Sequence, residues 1–159
     1  MKFRITSRQG IEALAQEPFA LKTAVISIAD ANDNFAELGN KPEHLLQLHF
    51  NDIDADVFKD ELGRKPTDAE IKEIEQKYHM LSDAQAKEIA TFYHQISRDN
   101  VDLLICQCEH GQSRSAGVMA AILEHRCRQG IQVFANDNYY PNKTIFKKVL
   151  KQLKGGIQK

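Results

Sequence analysis

The sequence predicts an α/β domain with a mostly parallel sheet flanked by helices. Three observations carry this. Residues 24–28 and 101–106 are short, nearly continuous apolar runs, as strands covered on both faces are. Segments with apolar residues at helical spacing stand between such runs. Two capping boxes, Thr67-Asp68-Ala69-Glu70 and Ser82-Asp83-Ala84-Gln85, open helices between the second and the last strand. Strand and helix in alternation is the order that builds a parallel sheet, and 159 residues is the size of one domain, 1–159.

In chain order, 3–6 reads as a short edge strand and 8–16 as a helix with Ile11 and Leu14 inward. The buried strand 24–28 runs into a polar loop, 29–34, and 45–50 is another strand. The Thr67 box opens a helix with Ile71, Ile74 and Tyr78 on one face, and the segment 57–80 around it reads as a helical insertion that covers a site or binds a partner. The Ser82 box opens a helix with Ile89, Tyr93 and Ile96 on one face. After strand 101–106, Val118, Met119, Ile122, Leu123 and Cys127 give a helix over 115–128, with Gly130 as its C-cap. Asn142 caps a last basic helix through Leu153, which Gly155 ends, and Tyr139 and Tyr140 anchor it. Lys147, Lys148, Lys151 and Lys154 read as its solvated face, and Cys106 and Cys127 as core fillers.

The turn between strand 101–106 and its helix is Cys108-Glu109-His110-Gly111-Gln112-Ser113-Arg114-Ser115. Successive backbone N–H groups in a strand-to-helix turn converge on one point, and the helix N-terminus adds partial positive charge, so the turn is a cradle for an anion. Gly111 admits a backbone conformation that a side chain resists. Arg114 offers two parallel N–H donors to phosphate oxygens. The same surroundings favour a thiolate: free cysteine titrates near ~8.5, and cysteines at helix N-termini or beside cations at roughly 3.5–7.5. Ser115 follows the arginine and is placed to hydrogen-bond the sulfur. The reading is a nucleophilic Cys108 within a phosphate cradle formed by Glu109, His110, Gly111, Gln112, Ser113 and Arg114.

Composition restricts the partners. Apolar residues are 42% and charged residues 27%, ordinary for a globular domain. The net charge of −1 gives no general field for nucleic acid or an anionic membrane, so attraction for phosphate is local to the loop. No run approaches the roughly 18 apolar residues of a membrane span. Three cysteines at 106, 108 and 127 form no disulfide framework, which with no signal peptide points to a reducing cytoplasm. The histidines at 44, 49, 79, 94 and 125 show no metal-ligand spacing, so no metal or other cofactor is expected.

The loop resembles the signature of the cysteine-based protein tyrosine phosphatases, Cys-x5-Arg-Ser/Thr, and Ser113-Arg114-Ser115 is nearest to the compact dual-specificity branch with its small bacterial and viral members. Leu48-His49-Phe50-Asn51-Asp52 and Tyr140-Pro141-Asn142 are similar to flanking pieces of that branch, so the resemblance runs over roughly residues 23–150. The family usually has histidine before the cysteine, where this chain has Gln107, whose amide can also donate hydrogen bonds.

The resemblance implies a single phosphatase domain acting on phosphotyrosine, with or without phosphoserine and phosphothreonine, through a phosphocysteine. It implies an aspartate general acid on a loop after strand 45–50. Asp52 aligns best; Asp54 is the alternative, and Asp56 stays open. The partner is then a phosphorylated protein or a small phosphomonoester. Glu109 at the loop mouth disfavours highly anionic substrates, and His110 can gate the pocket. Two other readings stand beside this one: a catalytically weak phosphate-recognition module, and a sulfur-transfer or arsenate-reducing enzyme, against which Arg114 and Ser115 speak.

Overall fold

The computed structural model describes residues 1–157. Four strands, β1 (Lys2–Thr6), β2 (Thr23–Ala29), β3 (His44–His49) and β4 (Leu103–Gln107), form one sheet in the order β1-β4-β2-β3, with every pair parallel. Thr6 and Ser27 both stand opposite Gln107, so β1 and β4 finish in one row and β2 runs two residues past them. Seven helices stand beside the sheet among the described residues: α1 (Arg8–Leu14), α2 (Asp56–Leu62), α3 (Asp68–Tyr78), α4 (Asp83–Arg98), α5 (Arg114–Cys127), α6 (Ile131–Ala135) and α7 (Lys143–Ile157).

Period-two alternation distributes the strands between two cores. Ala24, Ile26, Ile28, Leu104 and Cys106 meet Ile89 and Ile96 of α4, Val118, Met119 and Ile122 of α5, and Ile145, Val149 and Leu153 of α7. Val25 and Ile105 point the other way, onto Ile11 of α1 and Ala36. No helix among the described residues is long and apolar enough to cross a membrane.

The edge strand, the buried strands and both capping boxes stand where the sequence puts them, with side-chain and backbone bonds of each box formed. Asn142 accepts from the Ile145 amide at 3.0 Å, the N-cap bond expected of it. Six expectations need correction. Segment 57–80 is two helices, not one, because Gly63 takes left-handed φ (67°) and ends α2. Helix α5 ends at a left-handed Arg128, not at Gly130, which opens the short α6. Helix α7 continues through Gly155 to Ile157. Cys127 is exposed on α5 and fills no core. Tyr140 is exposed, and only Tyr139 packs, against the cluster of Ala116, Ala120 and Val133. Lys148 is not solvated: its Nζ bonds Glu75 of α3 and the Leu81 carbonyl.

Candidate active site

The turn after β4 is stitched to the carboxyl end of β1 on one side and to the segment before α7 on the other. Cys108 N donates to Thr6 O (3.4 Å) and Arg8 N to Glu109 O (3.1 Å). Tyr140 N donates to Gln112 O (2.8 Å), and Asn142 N to Ser113 O (3.1 Å). Gln107 Nε2 takes the Cys108 carbonyl at 3.0 Å. Four loop carbonyls, those of Cys108, Glu109, Gln112 and Ser113, are therefore occupied by groups outside the loop. In a trans peptide the N–H points opposite to the preceding C=O, so the amides of Glu109, His110, Ser113 and Arg114 turn to the inner side. Gly111 makes the turn possible. Its φ is 68°, and a Cβ there would lie 2.6 Å from the Thr6 carbonyl carbon.

Helix α5 opens without the caps used elsewhere. Ser7, Thr67 and Ser82 close the N-termini of α1, α3 and α4 with side-chain bonds. Ser113 makes no such bond at α5, whose first turn carries no acid, so its dipole is unopposed at the loop.

Within the cradle, buried Cys108 has its Sγ 3.1 Å from Ser115 Oγ, the contact expected from the sequence. Burial, and then the neighbouring Cys108, push the Cys106 thiol far above its ordinary range, so this sulfur stays protonated. Arg114 is buried, and its Nη1 donates to Phe50 O (2.9 Å) and meets Asp30 Oδ1 (2.6 Å). Its Nε and Nη2 have no partner among the described residues.

Gln107 has a defined task. Its buried side chain accepts from Ser27 Oγ (2.5 Å) and donates to the Cys108 carbonyl, tying the loop to β2. The amide, one acceptor and one donor, spans the two groups.

The two candidate acids are held differently. Asp52 Oδ1 accepts from Ser113 Oγ (2.7 Å) and from Asn142 Nδ2 (3.0 Å), so its carboxylate is joined to the loop while the residue stays exposed. Asp54 Oδ1 accepts from Thr144 Oγ1 (2.9 Å) and from the Asp56 amide (3.1 Å), which makes it a brace between the start of α2 and the first turn of α7. At the rim, His110 and Gln112 are exposed. Glu109 is not a free charge: Arg8 Nε bonds its Oε2 at 2.8 Å, and this bond is the main cause of a raised Arg8 pKa. The same guanidinium reaches Asp33 Oδ2 at 3.5 Å.

Sequence reasoning missed Arg8, Asp30, Ser27 and the site role of Asn142. A signal for the first two existed. Both stand just past the carboxyl ends of parallel strands, where ligands bind in open α/β sheets. Ser27 carried none, since a hydroxyl inside an apolar strand acquires meaning only once its neighbour is known.

The sequence matches no protein-family model and no curated protein. Solved structures do match over nearly the whole chain. Human DUSP28 superposes with a TM-score of 0.56 at 15% identity, covering 99% of this chain and 95% of that one. Tk-PTP in its active form gives 0.53 at 19% identity, covering 96% and 90%. Human tyrosine phosphatase-like serine/threonine/tyrosine-interacting protein gives 0.51 at 14% identity, covering 97% and 88%. The four-stranded parallel sheet and its helices thus give this chain the fold of these phosphatase structures.

Proposed function

We propose that the protein is a cysteine-dependent phosphomonoesterase acting on phosphotyrosine, with phosphoserine and phosphothreonine as additional substrates. The observation that carries this reading is the cradle itself: inward amides, an uncapped helix N-terminus and the buried Arg114 surround a single nucleophilic sulfur. Cys108 attacks phosphorus as the thiolate, in line with the leaving oxygen. Arg114 and the loop amides hold the equatorial oxygens, where charge is spread in the transition state. Asp52 gives its proton to the leaving oxygen as the ester bond breaks. As carboxylate, it then takes a proton from the water that cleaves the phosphocysteine, restoring thiolate and acid. No step calls for a metal ion. The bond from Ser113 favours Asp52 over Asp54, because it couples the acid to the residue preceding Arg114.

We also propose that the α2–α3 segment is an insertion. Asn51 N donates to His79 O (2.7 Å) and Asn51 Nδ2 to Tyr78 O (3.0 Å), so the chain leaves and returns at one residue, as an added excursion would.

The test is hydrolysis of para-nitrophenyl phosphate with EDTA present. Cys108→Ser should abolish turnover, and Asp52→Ala should lower it by about 10²–10⁴-fold. Asp54→Ala should keep most of the rate and lose stability instead. Absence of turnover by the parent would refute the enzyme reading. In that case, binding of a phosphotyrosyl peptide without turnover is the mark of a phosphate-recognition module, the reading that Asp30 on Arg114 favours.

A further inference from the structure

The Arg114–Asp30 pair lies where the substrate phosphoryl group would be held, and it is lopsided. The arginine side chain is 6% exposed and the aspartate 52%. Arg114 Nη1 serves two acceptors, the Phe50 carbonyl and the Asp30 carboxylate. The carbonyl belongs to a fixed backbone, since Phe50 N donates to Ala29 O at 3.1 Å. The carboxylate sits on a loop and has no second side-chain partner among the described residues. A phosphoryl dianion takes the unpartnered Nε and Nη2 of Arg114, so that the arginine's single charge is divided between the phosphate and the Asp30 carboxylate on Nη1. Arg8 supplies no further cation, because it is already shared between Glu109 and Asp33. Substrate binding thus leaves one half-exposed carboxylate with a cation that it shares and a second oxygen that is free.

We propose that Asp30 is a specificity-determining residue: it selects phosphopeptides carrying Lys or Arg next to the phosphorylated residue, whose cation pairs with the exposed side of the carboxylate. This rests on the phosphatase reading above. Acidic-flanked peptides and polyphosphorylated headgroups meet the same carboxylate with like charge and are disfavoured.

The experiment compares kcat/KM for two phosphotyrosyl peptides, one flanked by lysine and one by glutamate. An inositol polyphosphate and para-nitrophenyl phosphate are run alongside, with the parent protein, Asp30→Asn and Asp30→Glu. The parent should prefer the lysine peptide by ~10-fold at low salt, with the preference shrinking as salt rises. Asp30→Asn should cut that ratio at least ~3-fold, and Asp30→Glu should retain it. The ratio cancels any effect of Asp30 on Arg114 placement, and para-nitrophenyl phosphate reports folding and chemistry. A parent with no preference, an unchanged ratio in Asp30→Asn, or faster turnover of the inositol polyphosphate than of the lysine peptide overturns the proposal. Loss of para-nitrophenyl phosphate turnover in the parent is a different result and removes the phosphatase reading itself.

Discussion

The signature loop and the α2–α3 pair both spring from the carboxyl ends of strands in one sheet, yet they are held in opposite ways. The loop is buried at Cys108, Gly111, Arg114 and Ser115, and its carbonyls are bonded by β1, Gln107 and the segment before α7. Helix α3 has no buried residue, and α2 buries only Phe58. That pair is kept by local devices: a capping box, the Arg64–Glu70 bridge, a left-handed Gly63, and a tether from Lys148. Where burial is high, several neighbours specify each group and a substitution propagates through them. Where it is low, helix-end chemistry alone specifies the structure, and the cost of a change stays local.

Two glycines of nearly equal φ give the sharpest contrast. Gly111 (φ 68°) would press a Cβ against the Thr6 backbone, whereas Gly63 (φ 67°) has nothing within 4 Å. Left-handed backbone alone costs a non-glycine residue about 1–2 kcal/mol, and overpacking adds roughly 1–3 kcal/mol. Gly111→Ala should therefore lose about 3 kcal/mol or more in urea unfolding, together with most phosphatase activity. Gly63→Ala should lose about 1 kcal/mol and no activity. Equal losses would mean that the loop is not pinned against β1.

Gln107 comes next. Gln107→Leu leaves the Ser27 hydroxyl and the Cys108 carbonyl without their partner in a buried site, at about 1–3 kcal/mol for each group so stranded. A total loss of about 2–3 kcal/mol is expected, with a lower kcat as the loop loosens. Adding Ser27→Ala should recover part of the stability, since one stranded group is then removed. Strict additivity in that double-mutant cycle would show that the two side chains are not coupled.

This contrast also explains what the sequence revealed. The loop was legible because Cys108, Gly111, Arg114 and Ser115 fall within eight residues, and the turn that they form depends mostly on that spacing. Both capping boxes were legible for the same reason. Ser27 was not, and Asp30 and Arg8 showed only their place past strand ends, since each acquires its role from a partner about 80 or more positions away: Gln107, Arg114 and Glu109. Asp52 and Asp54 could not be separated by spacing. Ser113, Asn142 and Thr144, brought from the far side of β4, distinguish them. Lys148 looked like one more cation on a basic helix until α3 folded against it.

Lys148 supplies a smaller effect. Its Nζ bonds Glu75 and, at 2.7 Å, the Leu81 carbonyl, joining α7 to the α3 end of the excursion. Lys148→Met should lower global stability by only about 1 kcal/mol. It should raise amide hydrogen exchange over 68–78 while exchange in α5 stays as it was. Faster exchange in both helices would show that α3 and the core open as one unit.

The smallest effect concerns Glu70. The Arg64 side chain first, then the Thr67 amide and hydroxyl, lower its carboxyl pKa from 4.5 to about 2. A depressed folded-state value means that ionised Glu70 adds stability above pH 4.5, the unfolded value, and that this is lost as pH falls from there toward 2. Glu70 is partly exposed and α3 buries nothing, so the loss should fray the first turn of α3 without unfolding the domain. Carboxyl-carbon NMR should place the Glu70 midpoint well below those of the unpaired glutamates, and Thr67→Ala should move it upward. A parent midpoint near 4.5 would show that the box and the Arg64 bridge are open in solution, and that α3 owes its place to Lys148 and Asn51 instead.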